Sequence, residues 1–154
     1  MVKDHQRVHP KFKLNGAYFK ELAFNFKNKN SLIKNKSLAS FLSDWLNDND
    51  QIKLKTSGTT GDPKEIKVDK KAMILSAQST GRYFNIIAGD NALLCLPIDF
   101  IAGKMMIVRA IVLGLDLHIT SPNSAPINDL TQDFDFVSMT PFQLEKNINY
   151  IHKI

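Results

Sequence analysis

The chain has 154 residues, 44% apolar and 23% charged, with a net charge of +5. That is enough chain for one ordinary globular domain with its own core. No stretch reaches the ~18 apolar residues of a membrane span, because the run from Ile101 to Leu117 is broken by Lys104, Arg109 and Asp116. A single cysteine, Cys95, excludes an internal disulfide and a cysteine-pair metal site. Met1 to His5 carry no apolar core of a signal peptide, so a cytoplasmic location is expected.

The charge is uneven. Residues 1–71 carry a net +7 and residues 72–154 a net −2. The lysines are interleaved with asparagine rather than with aromatics, so a solvated surface is the first expectation and nucleic-acid binding is not. A positive field of this kind still favours anionic ligands.

Taken in order, the first residues are polar and expected to be poorly ordered, with a short strand at Phe12–Leu14 and a turn at Asn15-Gly16. Ala17 to Phe26 fits a helix with Tyr18, Leu22 and Phe26 four apart, and residues 28–36 a polar connector. Ser37 is the expected cap of a helix whose Leu38, Phe41, Leu42, Trp45 and Leu46 form one apolar stripe. Gln51 to Thr56 and Glu65 to Asp69 alternate as strands do. Asp69 is placed to cap a helix over 70–84. Ala92 to Leu96 reads as a buried strand, and 101–113 as a helix closed by Gly114. Strands follow at 115–120 and 134–139, separated by a loop over 121–131. A helix starting at Thr140-Pro141 is expected to reach Tyr150. Alternating strands and helices after Asp69 predict an α/β fold with a largely parallel sheet.

The run Thr56-Ser57-Gly58-Thr59-Thr60-Gly61-Asp62-Pro63-Lys64 joins the two alternating strands. Its glycines would let backbone N–H groups approach a polyphosphate, while its hydroxyls and ammonium supply further donors. A Walker loop needs G-x-x-x-x-G-K-[S/T] opening a helix, and this run has neither that spacing nor that context.

The same run resembles the phosphate loop of the AMP-forming adenylating enzymes, which reads roughly [S/T]-S-G-[S/T]-T-G-x-P-K. The resemblance implies that Thr56, Ser57, Gly58, Thr59, Thr60, Gly61 and Lys64 hold the β- and γ-phosphates of ATP. It implies the N-terminal part of such an enzyme, with a β-loop-β phosphate hairpin beside a parallel sheet flanked by helices. It also implies ATP, Mg2+ and coenzyme A as cofactors. In the implied reaction a carboxylate attacks the α-phosphate, and a thiol then displaces AMP.

Leu96 to Gly103 is similar to a second segment of that family, with Phe100 at a position that lines the acyl pocket. Core packing is the competing assignment for Phe100. Lys104 and Arg109 interrupt an apolar helix, so each is either solvent-exposed or matched to an anion. Gly103 to Arg109 is most similar to the 2-succinylbenzoate–CoA ligases of menaquinone synthesis, whose substrate is a dicarboxylate. That resemblance implies an acyl-substrate pocket with Phe100, Gly103 and Arg109, and a small carboxylic acid as partner. It implies no metal ligands and no catalytic residue within these 154 positions.

The division expected is a helical lead-in over 1–50 and an incomplete adenylate-forming subdomain over 51–154. The family's adenine, ribose and C-terminal lysine motifs are not found, so the chain alone is expected to be inactive. Self-association is expected through the helix of 101–113 or the last helix. Two other outcomes stay open: a ligase for another acyl or aryl acid, and a non-catalytic nucleotide- or partner-binding module.

Overall fold

The computed structural model describes residues 2–20, 35–55 and 65–154. The expected helix over residues 21–26 and the run Thr56–Lys64 lie outside the described residues. Among the described residues there are seven strands: β1 Lys13–Leu14, β2 Ala17–Tyr18, β3 Gln51–Lys55, β4 Glu65–Asp69, β5 Asn91–Leu94, β6 Asp116–Ile119 and β7 Phe136–Val137. The α-helices are α1 Lys36–Leu46, α2 Lys70–Tyr83, α3 Ile101–Leu113 and α4 Pro141–Lys146. The main sheet runs β2-β1-β6-β5-β7, and β3 and β4 form a separate antiparallel pair. Within the main sheet only β1–β2 is antiparallel. The expected mixed α/β fold with a mostly parallel sheet is therefore the fold observed.

The unbroken apolar character of β5 has a direct cause. Leu94 and Ala92 belong to the large core, which α1, α2 and α3 help to close, while Leu93 and Cys95 pack with Ile127 and Phe134 in a second cluster. A strand covered on both faces cannot alternate with polar residues. Helix α3 crosses from β5 to β6 and ends at Gly114, whose φ of +79° is the left-handed cap the sequence calls for.

Several expectations are corrected. The N-terminus is ordered: Asp4–Gln6 form a 3-10 turn with His5 buried. Ala17–Tyr18 pair with β1 instead of opening a helix, and the chain turns helical only at Phe19 and Lys20. Helix α1 opens at Lys36, one residue before the expected cap Ser37, and is capped by Asn35, whose side chain accepts from Leu38 N, while the Ser37 hydroxyl donates to Asp99 at 3.1 Å. Asp69 stands at the start of α2 but makes no side-chain cap. Its carboxylate instead accepts from Gln51 Nε2, its cross-strand partner, at 2.9 Å.

The last helix stops at Lys146 and continues as a 3-10 segment, Ile148–Lys153. Asn147, at that break, uses its amide on Ser124 O, Gln143 O and the Ile127 N–H. Most of α3 is buried, Ile101 and Ala102 being exposed, so it is not the open surface expected for self-association. The exposed apolar side chains near the C-terminus are Phe142, Leu144, Ile148, Ile151 and Ile154. No helix among the described residues is long and apolar enough to cross a membrane.

Cys95 is fully buried and donates its thiol to Ser138 O at 3.4 Å. Burial pushes its pKa from 9.0 up to about 11. Below pH 9 the folded and unfolded chains both keep this proton. Between pH 9 and about 11 only the unfolded chain loses it, so stability falls as pH rises, by about 2–3 kcal/mol at the top of the window. The native chain is expected to resist iodoacetamide at pH 8 and to be modified promptly in urea. Mass spectrometry of both samples checks this, and equal labelling would contradict it.

Candidate functional site

Parallel sheets bind ligands beyond the carboxyl ends of their strands, where the strand order reverses. Here β5 leads through α3 to β6 on one side, and the chain then passes to β7 on the other side of β5. The segments at that end are Cys95–Phe100 after β5, Thr120 after β6 and Ser138–Thr140 after β7. The Thr120 hydroxyl is buried there with no hydrogen-bond partner among the described residues.

The segment after β5 is shaped by Gly103. A Cβ at this position would stand 2.7 Å from the Pro97 carbonyl carbon and 3.0 Å from Ile98 Cα. Only glycine lets the first turn of α3 lie against that backbone. Phe100 is the residue before α3 and is 37% exposed, so ordinary core packing does not account for it.

Two amides that sequence reasoning passed over hold the neighbouring loops. Gln143, buried on α4, donates to Cys95 O at 3.2 Å and Asn123 O at 2.9 Å. Its Oε1 accepts from Thr140 N, closing a capping box. Asn147 lies one turn further and secures Ser124 and Ile127. The Thr140-x-x-Gln143 box was readable as a helix start, but nothing in the sequence shows that the amide also reaches β5.

Arg109 is half-buried at the other end of α3. Its Nε donates to Thr80 Oγ1 at 3.4 Å, and its guanidinium lies 6.0 Å from the Phe136 ring centre. Phe84 packs on Phe136 with ring centres 5.7 Å apart. Among the described residues no carboxylate pairs with Arg109. Burial lowers its pKa, although an arginine keeps its charge. A half-buried cation facing a hydroxyl, a thioether and a ring has capacity left for an anion.

Lys104 is half-buried and borders a cavity of about 260 Å³ with Ser37, Asp44, Lys53 and Asp99. Phe100 and Arg109 are not brought side by side. Nine residues on one helix separate them by ~13 Å along the axis and half a turn around it. The guanidinium leans back over the preceding turn, with Nη1 3.6 Å from Met106 Sδ, which shortens the axial gap to about 9 Å. Among the described residues no cluster of His, Cys, Asp or Glu is arranged to hold a metal.

This arrangement matches the N-terminal domain of an adenylate-forming enzyme of the AMP-forming acyl-CoA synthetase class. The acyl-CoA synthetase (AMP-forming)/AMP-acid ligase II-like protein of Dyadobacter fermentans superposes with a TM-score of 0.70 at 37% identity, over 78% of this chain and 35% of that one. Among curated proteins, the 2-succinylbenzoate–CoA ligase of Enterococcus faecalis is 38% identical over 64 residues, which is 42% of this chain and 13% of that protein. An o-succinylbenzoate CoA synthetase of Bacillus subtilis aligns over 46% of this chain and 15% of its own, at 27% identity and a TM-score of 0.41. No family model matches the chain. The chain thus spans about a third of the length of the solved relative and about an eighth of the curated one.

Proposed function

We propose that the chain supplies the pyrophosphate-holding and acid-recognising part of an ATP-dependent, AMP-forming acid–CoA ligase, with 2-succinylbenzoate as the acid. The observation that carries this reading is the run Thr56–Lys64 on the connection between β3 and β4, in a chain whose remaining fold matches an acyl-CoA synthetase. ATP, Mg2+ and coenzyme A are the cofactors this reading requires. ATP supplies the adenylyl group that activates the acid. Thr56, Ser57, Gly58, Thr59, Thr60, Gly61 and Lys64 are proposed to bind its β- and γ-phosphates and to neutralise the leaving pyrophosphate.

Phe100 and Gly103 are proposed to shape the acyl end of the acid site, and Arg109 to bind a second carboxylate. A ligase for another aryl or acyl acid would leave the charge of Arg109 unused.

Titration calorimetry with ATP tests the nucleotide assignment. Lys64→Ala is expected to weaken ATP binding by about tenfold, the loss of one charge-assisted contact to phosphate. Equal binding by both chains would overturn that assignment and favour a partner-binding module. Pyrophosphate release from ATP and 2-succinylbenzoate by these 154 residues would overturn the expectation that they are inactive alone.

A further inference from the structure

Among the described residues a dense set of long-range polar contacts lies where the N-terminal turn meets the end of α1. A helix leaves its last carbonyls unpaired. At this end three consecutive carbonyls are taken by side chains from the N-terminal turn. Gln6 Nε2 donates to Leu46 O at 3.1 Å, His5 Nε2 to Asn47 O at 2.9 Å, and Lys3 Nζ to Asp48 O at 2.7 Å. Lys70 adds bonds to Asn47 O at 3.2 Å and Asn47 Oδ1 at 3.0 Å. Cationic side chains suit the negative end of a helix.

The same residues grip the base of the β3–β4 hairpin. Lys3 Nζ pairs with Asp50 Oδ1 at 2.8 Å, and Asp50 O accepts from Lys70 N at 2.8 Å. Asp50 immediately precedes β3, and Lys70 immediately follows β4. Among the described residues this hairpin is a separate two-stranded sheet, held to the core through Ile52 and Leu54 of β3, and two strands alone are marginal without such support. Glu65, Ile66, Lys67 and Asp69 are exposed, so β4 contributes little burial of its own. Lys70 is fully buried, and burial lowers its pKa. A buried ammonium is costly unless it is hydrogen-bonded, and Lys70 meets that condition only through Asn47 among its side-chain bonds described above.

We propose that Lys3, His5, Gln6 and Lys70 form a latch that fixes the base of the β3–β4 hairpin to the end of α1, so that opening of the hairpin is controlled by the N-terminal turn. The hairpin carries Thr56–Lys64, so the latch also sets how firmly that run is presented to a nucleotide; this consequence rests on the phosphate assignment above.

Hydrogen exchange read by mass spectrometry tests the latch on the whole chain. In the double variant Lys3→Ala/Gln6→Ala, amides of β3 and β4 are expected to exchange about tenfold faster while those of α3 keep their protection. Lys70→Met, which keeps the volume and removes the bonds, should give the same local pattern. Arg7→Ala is the control, since Arg7 is exposed and its ion pair is with Asp4, at 3.7 Å. Unchanged hairpin exchange, or equal acceleration in α3, overturns the proposal. ATP titration of the same variants separates the two assignments. A parent chain that binds no ATP overturns the phosphate reading, whereas the latch stands or falls on the exchange pattern.

Discussion

Replacing Arg109 by methionine is expected to weaken binding of 2-succinylbenzoate by about tenfold to a hundredfold, the loss of one hydrogen-bonded charge pair. Benzoate, with a single carboxylate, should bind both forms alike. Helix α3 is largely apolar and buries Met105, Met106, Ile107, Val108, Ala110 and Ile111 around this cation. The guanidinium has a hydroxyl, a sulfur and a ring as neighbours, and among the described residues no acid. A charge so placed either faces a ligand anion or is a tolerated cost. Methionine keeps most of the packing and removes the charge, so the variant should fold at least as well as the parent. Calorimetric titration with both acids separates the outcomes. Equal loss for both acids, or no loss for the dicarboxylate, would assign Arg109 to packing.

Gly103→Ala is expected to destabilise the chain by about 3 kcal/mol, the upper part of the usual range for overpacking. At this chain length that lowers Tm by about 6–12 °C. The added methyl would press on the backbone of Pro97 and Ile98, which cannot rotate away as a side chain can. Gly81 makes the contrast, because a methyl there would meet the end of the Leu113 side chain at 2.8 Å, and that side chain can shift. Thermal unfolding followed by circular dichroism should therefore show a larger loss for Gly103→Ala than for Gly81→Ala. The reverse order would mean that the β5–α3 turn is not held as tightly as its geometry implies. Gly103 is thus explained by packing of helix on loop, whatever it contributes to the acid site.

Local signals were read well where the interaction that decides them is local. The stripe of Leu38, Phe41, Leu42 and Trp45 is buried on α1, and Gly114 takes the left-handed cap of α3. The same reasoning failed where a distant residue claimed the local group. Ser37 was a sound cap by type, but the helix opens at Lys36 and Ser37 lies inside it, its hydroxyl donated to Asp99, 62 positions away. Asp69 was another, but Gln51 across the hairpin takes its carboxylate. The polar N-terminus looked unsupported because its partners are backbone carbonyls at the end of α1, which have no signature in side-chain chemistry. Of the candidate site, Arg109 was visible as an oddity in an apolar helix, and Gly103 only through the resemblance to a family segment. Gln143 and Asn147 were not, since an amide says nothing of which carbonyls it will meet.

By itself the sequence determined the order of strands and helices from Gln51 onward, the hairpin context of Thr56–Lys64 and the anomaly of Arg109, because periodicity and residue type are properties of short windows. Tertiary structure alone decided that β1 lies beside β6, that Lys70 is buried against Asn47, and that the Gln143 amide holds Cys95 O and Asn123 O. These depend on contacts between residues far apart in the chain. Their free energy is gained only after the whole core has closed, so no window of sequence contains them.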